Sequence, residues 1–459
     1  MPTNTDSFSW EVQPVAARWV QHSLDALTQR NPLLESLARL LRSQTGTRLV
    51  DWTDYLLVSA AEQDRVRREV TEVGYRAVAG EVGVYRHARG MFPAVACNQE
   101  LAGVAIRVEQ IELAQAALTD ALQLPPSDPG TLHGNPGGRY RHAIISNYDG
   151  VVVALHERHG YQGLNDVDDH PDAIAAAQRH LGEFRARKRH FESIEGAFSH
   201  TSDQIVAASS DLGTAWACDL FFTAEREYWQ SRNAAARVQY EGQNRLGLGW
   251  ANHDHHTYRS SRRAFRYLVG TLEQLGFVCR ERFYAGSEAG WGAQVLEQPD
   301  CRLVVFADVD LSPAEVAGDF AHQPLAERDQ LGTVGLWCEL HGEAFLEAGM
   351  HHLECQFDFD AARTQLAAVG VETLAPFTDF PFLKQAFTRG ETWSVDPRRI
   401  DRLLATKRIT ADEAERFRRD GAVGSHLEIL ERNDGYKGFN QTGISEIISR
   451  TDPRRMIGA

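Results

Sequence analysis

Between residues 15 and 45 the apolar positions Leu24, Leu27, Leu34, Leu37, Leu40 and Leu41 recur mostly at three- and four-residue intervals. That spacing marks one face of an α-helix. From Arg48 the pattern changes to short alternating segments separated by helical stretches of about three turns. A second helix-rich stretch covers 170–243, with 172–189 and 217–240 as its strongest periodic segments. After Asn244 the short-strand pattern resumes, interrupted by a charged helical insertion at 398–419. The chain therefore reads as α+β: a helical N-terminal segment (1–47), a strand-rich half (48–168), a helical connector (169–243) and a second strand-rich half (244–459).

The two strand-rich halves resemble each other. ALHERHGYQGLN (154–165) parallels ILERNDGYKGFN (429–440), with one inserted residue bringing the two Glu-Arg pairs into line. Upstream, GVAIRV (103–108) and the helical stretch 113–122 parallel GMHHLE (349–354) and 360–368. The helix ending in Val73-Gly74-Tyr75 likewise parallels the one ending in Leu275-Gly276-Phe277. Three matches in the same order indicate a duplication, with two units of strand, helix and several strands in each half.

Composition narrows the functions open to such a chain. Forty-eight basic against 63 acidic residues give a net charge of −15 over 459 residues. A surface of that sign repels phosphate backbones, so no nucleic-acid partner is expected. RARKRH (185–190) is read as the solvated face of a helix, and GNPGG (134–138) as a loop without the strand-to-helix setting of a phosphate cradle. The six cysteines include no Cys-x-x-Cys pair, which fits a reduced, cytoplasmic protein. Neither a leader peptide nor a membrane span is read, and a homo-oligomer is compatible with the sequence.

Three segments concentrate metal-binding side chains: NHDHHTYR (252–259), MHHLECQF (350–357) and SHLEILER (425–432). Each reads as a strand, so residues two apart share a face. Leu353, Cys355 and Phe357 form an apolar face, which turns His352, Glu354 and Gln356 to the concave side. In the last strand Leu427 and Ile429 face the helices, and Glu428 and Arg432 the concavity. In the first strand His253, His255, Thr257 and Arg259 alternate with Asp254, His256, Tyr258 and Ser260. Neither set is apolar, so alternation leaves that strand open. Two imidazoles and one carboxylate from three strands make the facial triad that binds Fe(II).

Asp254-His255 with Arg259 resembles the Asp-His-x-x-x-Arg strand of the 2-oxoadipate dioxygenase/decarboxylase (hydroxyglutarate synthase) family, within the vicinal-oxygen-chelate superfamily. His351-His352-Leu353 resembles its Asn-His-Leu strand, with His351 in place of Asn, and Glu428 with Arg432 resembles its Glu-x-x-x-Arg strand. FLKQAF (382–387) is similar to its Leu-x-Gln segment as far as Gln385 and departs from Ala386 onward. The stretch from Glu428 to Phe439 is also similar to 4-hydroxyphenylpyruvate dioxygenase, whose N-terminal half likewise lacks metal.

The resemblance spans 252–452. It implies duplicated βαβββ modules forming curved mixed sheets, with Fe(II) held by His255, His352 and Glu428. It further implies that Arg259 holds a substrate carboxylate and that Gln385 contacts substrate. The reaction implied is the dioxygen-dependent decarboxylation and hydroxylation of a 2-oxo acid, with 2-oxoadipate to 2-hydroxyglutarate the leading case. His253, His256 and His351 are read as neighbours of the ligands. With the halves aligned through their Glu-Arg pairs, Ala154 takes the place of Glu428 and Ile106 that of His352, so the first half is expected to lack metal. Two other readings share the scaffold: a Mn-, Zn- or Ni-dependent lyase or isomerase of the glyoxalase type, and a non-catalytic binding protein.

Overall fold

The computed structural model describes residues 10–124, 132–287, 289–440 and 452–454; the first nine residues, read above for a leader, lie outside it. In the first half eight strands form one sheet: β1 (Thr53–Ser59), β2 (Tyr75–Ala77), β3 (Val84–His87), β4 (Ala94–Gln99), β5 (Ala102–Val108), β6 (Leu132–His133), β7 (Tyr140–Tyr148) and β8 (Val151–Arg158). The second half contributes β9 (His253–Arg259), β10 (Val278–Tyr284), β11 (Trp291–Gln298), β12 (Leu303–Asp310), β13 (His352–Gln356), β14 (Thr378–Phe380), β15 (Leu383–Phe387), β16 (Glu391–Trp393) and β17 (Ala422–Arg432).

The sheets run β2-β3-β4-β1-β5-β8-β7-β6 and β10-β11-β12-β9-β13-β17-β15-β14, with β16 added beside β17. Each is two βαβββ modules joined through their first strands, which pair antiparallel as β1·β5 and β9·β13. Within each module the first strand lies parallel to the last, as in β1·β4 and β13·β17. This is the duplicated vicinal-oxygen-chelate architecture that the internal repeat and the resemblance implied.

The register fixes residue equivalences that sequence alignment could only approximate. In the second half Thr257 faces His352 and His255 faces Glu354; the pairing then slips at Asp254, so that His253 faces Cys355. In the first half Leu57 faces Gly103 and Tyr55 faces Ala105, and after the same slip at Asp54 Thr53 faces Ile106. Ala105 pairs with Ala154 as Glu354 pairs with Glu428. Tyr55, Gly103, Ala105 and Ala154 thus occupy the places of His255, His352, Glu354 and Glu428. The equivalence of Ile106 with His352 is corrected: Ile106 matches Cys355, three positions along the strand. Tyr55, Ala105 and Ala154 instead fill the first sheet's concavity with a small apolar cluster that includes Val84, Ala94 and Ala96.

The helical N-terminal stretch is two helices, Pro14–Arg30 and Pro32–Thr45, broken at Asn31, whose side chain accepts from Leu33 N–H. Their apolar faces share one core with the first sheet. Connector residues 172–189 and 217–240 become Pro171–Arg185, Thr214–Ser231 and Ala234–Asn244. The last two divide at Asn233, whose side chain accepts from Ala236 N–H as an N-cap. A further helix, Ile194–Leu212, completes the connector, whose apolar faces merge with the core of the second sheet. The connector therefore backs that sheet from the helix side, with Phe222 edge-on to His256 at 5.1 Å. The charged insertion forms Pro397–Ala405 and Ala411–Asp420, which bury Ile400, Leu403 and Phe417 in a small core shared with Leu336 and Leu340. Among the described residues no helix is long and apolar enough to cross a membrane.

Candidate metal centre

Strands β9, β13 and β17 lie side by side, so residues far apart in sequence meet on one face. Leu353, Cys355, Leu427 and Ile429 turn into the helix-covered core, as their alternation requires. His352, Glu354 and Glu428 therefore point the other way, where His255 joins them from β9. One donor atom from each of His255, His352, Glu354 and Glu428 lies within 4.8 Å of the other three. His255 Nε2 is 2.6 Å from Glu354 Oε2, and His352 Nε2 is 3.1 Å from Glu428 Oε2. All four side chains are buried, Glu354 completely.

The slip in β9 settles what alternation left open. It turns Asp254 toward Gln356 and Arg432, while His253 swings back to lie 5.4 Å from His256. Asp254 Oδ1 is then 3.2 Å from His255 Nδ1 and accepts its proton, which leaves Nε2 free to bind a metal. His352 is placed the same way: its Nδ1 is 2.9 Å from His351 Nδ1 and its Nε2 faces Glu428. Gln385 Nε2 donates to Glu354 Oε1 at 3.2 Å and to Glu428 Oε1 at 3.1 Å, holding both carboxyls in one orientation.

The electrostatics suit a divalent cation. Burial, then the charges of Glu428 and Asp254, hold the Glu354 carboxyl well above its ordinary range. Burial, with Asp254 adding to it, pushes Glu428 up to about 8. Burial and the nearby positive charges depress both imidazoles, leaving them neutral. Neutral imidazole nitrogens and close carboxylates lacking a counter-ion are the donor set of a borderline divalent metal. Phe306 and Phe439 stand 4.7 and 5.1 Å from the His255 ring, and Phe387 5.7 Å from that of His352. These rings form an apolar wall around the donors.

Arg259 continues the face that carries His255 and Thr257, and it too is buried. Its guanidinium lies 5.7 Å from the Trp337 ring centroid, and its charge helps depress His351, His352 and His426. Opposite it in β12, Asp308 is pushed up to about 8 by burial, with Arg259 opposing that shift. The structure thus gathers His255, His352 and Glu428, sets Gln385 against the carboxyls, and puts Arg259 on the same face two pleat repeats further along β9. Two members were not singled out as ligand-site residues from sequence. Glu354 sits two positions from His352, and His426 two from Glu428; strand alternation carried both signals.

No family model matches the chain, and no curated protein matches it. Solved structures that match include methylmalonyl-CoA epimerase from Mycobacterium tuberculosis, at 12% identity and TM-score 0.23, over 40% of this chain and 88% of that one. Another is a triple mutant of 4-hydroxymandelate synthase from Streptomyces coelicolor, at 12% identity and TM-score 0.28, over 76% and 98%. A xylose isomerase-like TIM barrel/4-hydroxyphenylpyruvate dioxygenase fusion protein matches at 13% identity and TM-score 0.24, over 94% of this chain and 59% of that one.

Proposed function

We propose that the chain is a non-haem Fe(II)-dependent dioxygenase that decarboxylates and hydroxylates a 2-oxo acid. The observation that carries this reading is the convergence of His255, His352 and Glu428 from three adjacent strands in a buried, aromatic-walled pocket. Two imidazoles and a carboxylate on one face leave positions for a chelating substrate and for dioxygen. Fe(II) held there supplies the redox chemistry with dioxygen and the chelation of the 2-oxo acid.

The chain's own residues do the rest. Asp254 and His351 fix the ring orientation of the two histidines through their Nδ1 atoms. Gln385 donates to both carboxyls, which makes it a positioning residue in this arrangement. Phe306, Phe387 and Phe439 exclude water from the reacting end. Arg259, with a planar fork of donors, holds the far carboxylate of a dicarboxylic substrate. On the resemblance, that substrate is 2-oxoadipate. One molecule of dioxygen is consumed, one carbon dioxide leaves, and 2-hydroxyglutarate remains, so atoms balance.

A second reading is favoured by Glu354. If it coordinates beside Glu428, four protein donors leave only two open positions in an octahedron, which suits a glyoxalase-type lyase or isomerase using the metal as a Lewis acid. Anaerobic iron reconstitution followed by oxygen-uptake measurements across 2-oxo acids separates the two. Stoichiometric oxygen consumption and carbon dioxide release support the dioxygenase; full turnover of a substrate without oxygen supports the alternative. Retention of wild-type metal content by His255→Ala, His352→Ala and Glu428→Ala would overturn both.

A further inference from the structure

The first half carries no metal donors at the positions of His255, His352, Glu354 and Glu428, yet a charged cavity of about 960 Å³ lies between the halves, lined by residues of both sheets and the N-terminal helices. Arg107, Arg302, Arg86 and Asp54 line it together. Asp54 is the carboxylate of this corner, and it is already engaged: Arg158 Nε lies at 2.6 Å, Arg302 Nη1 at 3.0 Å and His156 Nδ1 at 2.9 Å. Arg86 Nη2 donates to the Tyr55 hydroxyl at 2.7 Å. Arg302 Nη2 is buried without a hydrogen-bond partner among the described residues. Arg107 makes no ion pair with any described residue; burial depresses its pKa, against the opposing charges of Asp54 and Asp219 and with Arg158 and Arg226 adding to the shift. Burial, opposed by Asp54 and reinforced by Arg86 and Arg107, pulls Arg302 down to about 10.

The repeat shows what is unusual here. In the second half the place of Arg107 is taken by Gln356, whose amide donates to Asp254 at 3.0 Å, and one guanidinium, Arg432, balances that carboxylate. Elsewhere in the cavity Arg48 pairs with Asp51 and Lys437 with Glu297. At Asp54 the positive charge is in surplus.

We propose that this corner is an anion site separate from the metal centre. It takes a small ligand whose paired anionic oxygens, from a phosphate or from carboxylates, lie between Arg107 and Arg302. Guanidiniums in fork geometry recognise such oxygens, and half-buried cations in surplus over carboxylates gain from a counter-ion. The inference stands independently of the reaction proposed above.

Isothermal titration of the full-length protein with inorganic phosphate and, separately, with glutarate tests it; glutarate lacks the 2-oxo group needed to chelate a metal. Saturable one-to-one binding of either is expected, weakened about tenfold or more by Arg107→Gln and by Arg302→Gln, as for a lost charge-assisted hydrogen bond. Phosphate alone binding identifies a phosphorylated ligand, and glutarate alone a carboxylate. Arg302→Gln removes a partner of Asp54 and can unfold the protein; Arg107→Gln breaks no ion pair among the described residues and keeps the test sharp. No saturable binding of either anion overturns the proposal. So does binding unchanged in Arg107→Gln, or binding abolished in Arg259→Gln but kept in Arg107→Gln.

Discussion

Asp254 and Arg432 form a two-pronged buried ion pair, with Nε 2.8 Å from Oδ2 and Nη2 2.9 Å from Oδ1. The pair recurs in the first half as Asp54 and Arg158. Each arginine also holds a turn beyond its strand: Arg432 donates to the carbonyls of Tyr436 and Gly438, and Arg158 to those of Tyr161 and Gly163. The duplication has therefore kept the brace behind the site in both halves and the metal donors in one.

Arg432→Ala leaves the Asp254 carboxylate buried without a cation. A cost of ~3–5 kcal/mol is expected, read as a lowered urea midpoint. Since Asp254 also orients His255, metal affinity should fall by about 10–100-fold in Asp254→Ala. Arg158→Ala should destabilise less, because Arg302 still faces Asp54, and leave metal affinity intact. Equal metal loss in both variants would show that the effect is general loosening.

Glu354 and Glu428 both reach the donor cluster, and their amide variants separate their roles. Under the three-donor reading, Glu428→Gln should lose metal outright, whereas Glu354→Gln should bind it about tenfold more weakly, as for an orienting partner. Metal content by atomic absorption, followed by oxygen uptake, checks this. Complete metal loss in Glu354→Gln would assign four protein donors.

Much of this was legible in the chain. The Glu-Arg repeat at 157–158 and 431–432 announced the duplication, and alternation around Leu353 and Leu427 correctly turned His352 and Glu428 inward. Alternation could not resolve β9, because the slip at Asp254 places that residue on the face of its neighbour His255. The pairing register, with the slip recurring at Asp54 and Asp254 alike, makes Gly103 rather than Ile106 the counterpart of His352. The helix Ile194–Leu212 lies within the stretch read as helical but is not delimited there, because three of its buried positions (Ala197, Thr201, Ala208) are small and its apolar stripe is faint. The cavity at Arg107 is made by residues from both halves, and no local pattern announces such an assembly.

Metal binding should release protons. With Glu428 pushed up to about 8, its carboxyl is protonated at pH 7 without metal, and a bound divalent cation displaces that proton. Apparent affinity should climb from pH 6 to about 8 and then level. Calorimetry in two buffers of different ionisation enthalpy measures the protons released. Identical heats in both would contradict the raised carboxyl.

His159 ties the first half to the connector, with Nδ1 2.9 Å from Asp219 and Nε2 3.4 Å from Glu157. Burial opposes its charge, but these two carboxylates outweigh it and push the imidazole up to about 10. In the unfolded chain the same ring titrates near ~6.5. Between those values the native state keeps a proton that the unfolded state has lost. The stabilisation is therefore fully present below about pH 6.5 and disappears as pH rises through about 10. His159→Gln, which keeps a donor and removes the charge, should flatten this part of the pH–stability profile. Urea denaturation of both proteins at pH 6, 8 and 10 reads it directly. If the gap between wild type and variant stays constant over that range, His159 is neutral in the folded protein, and the link between connector and first half is an uncharged hydrogen bond.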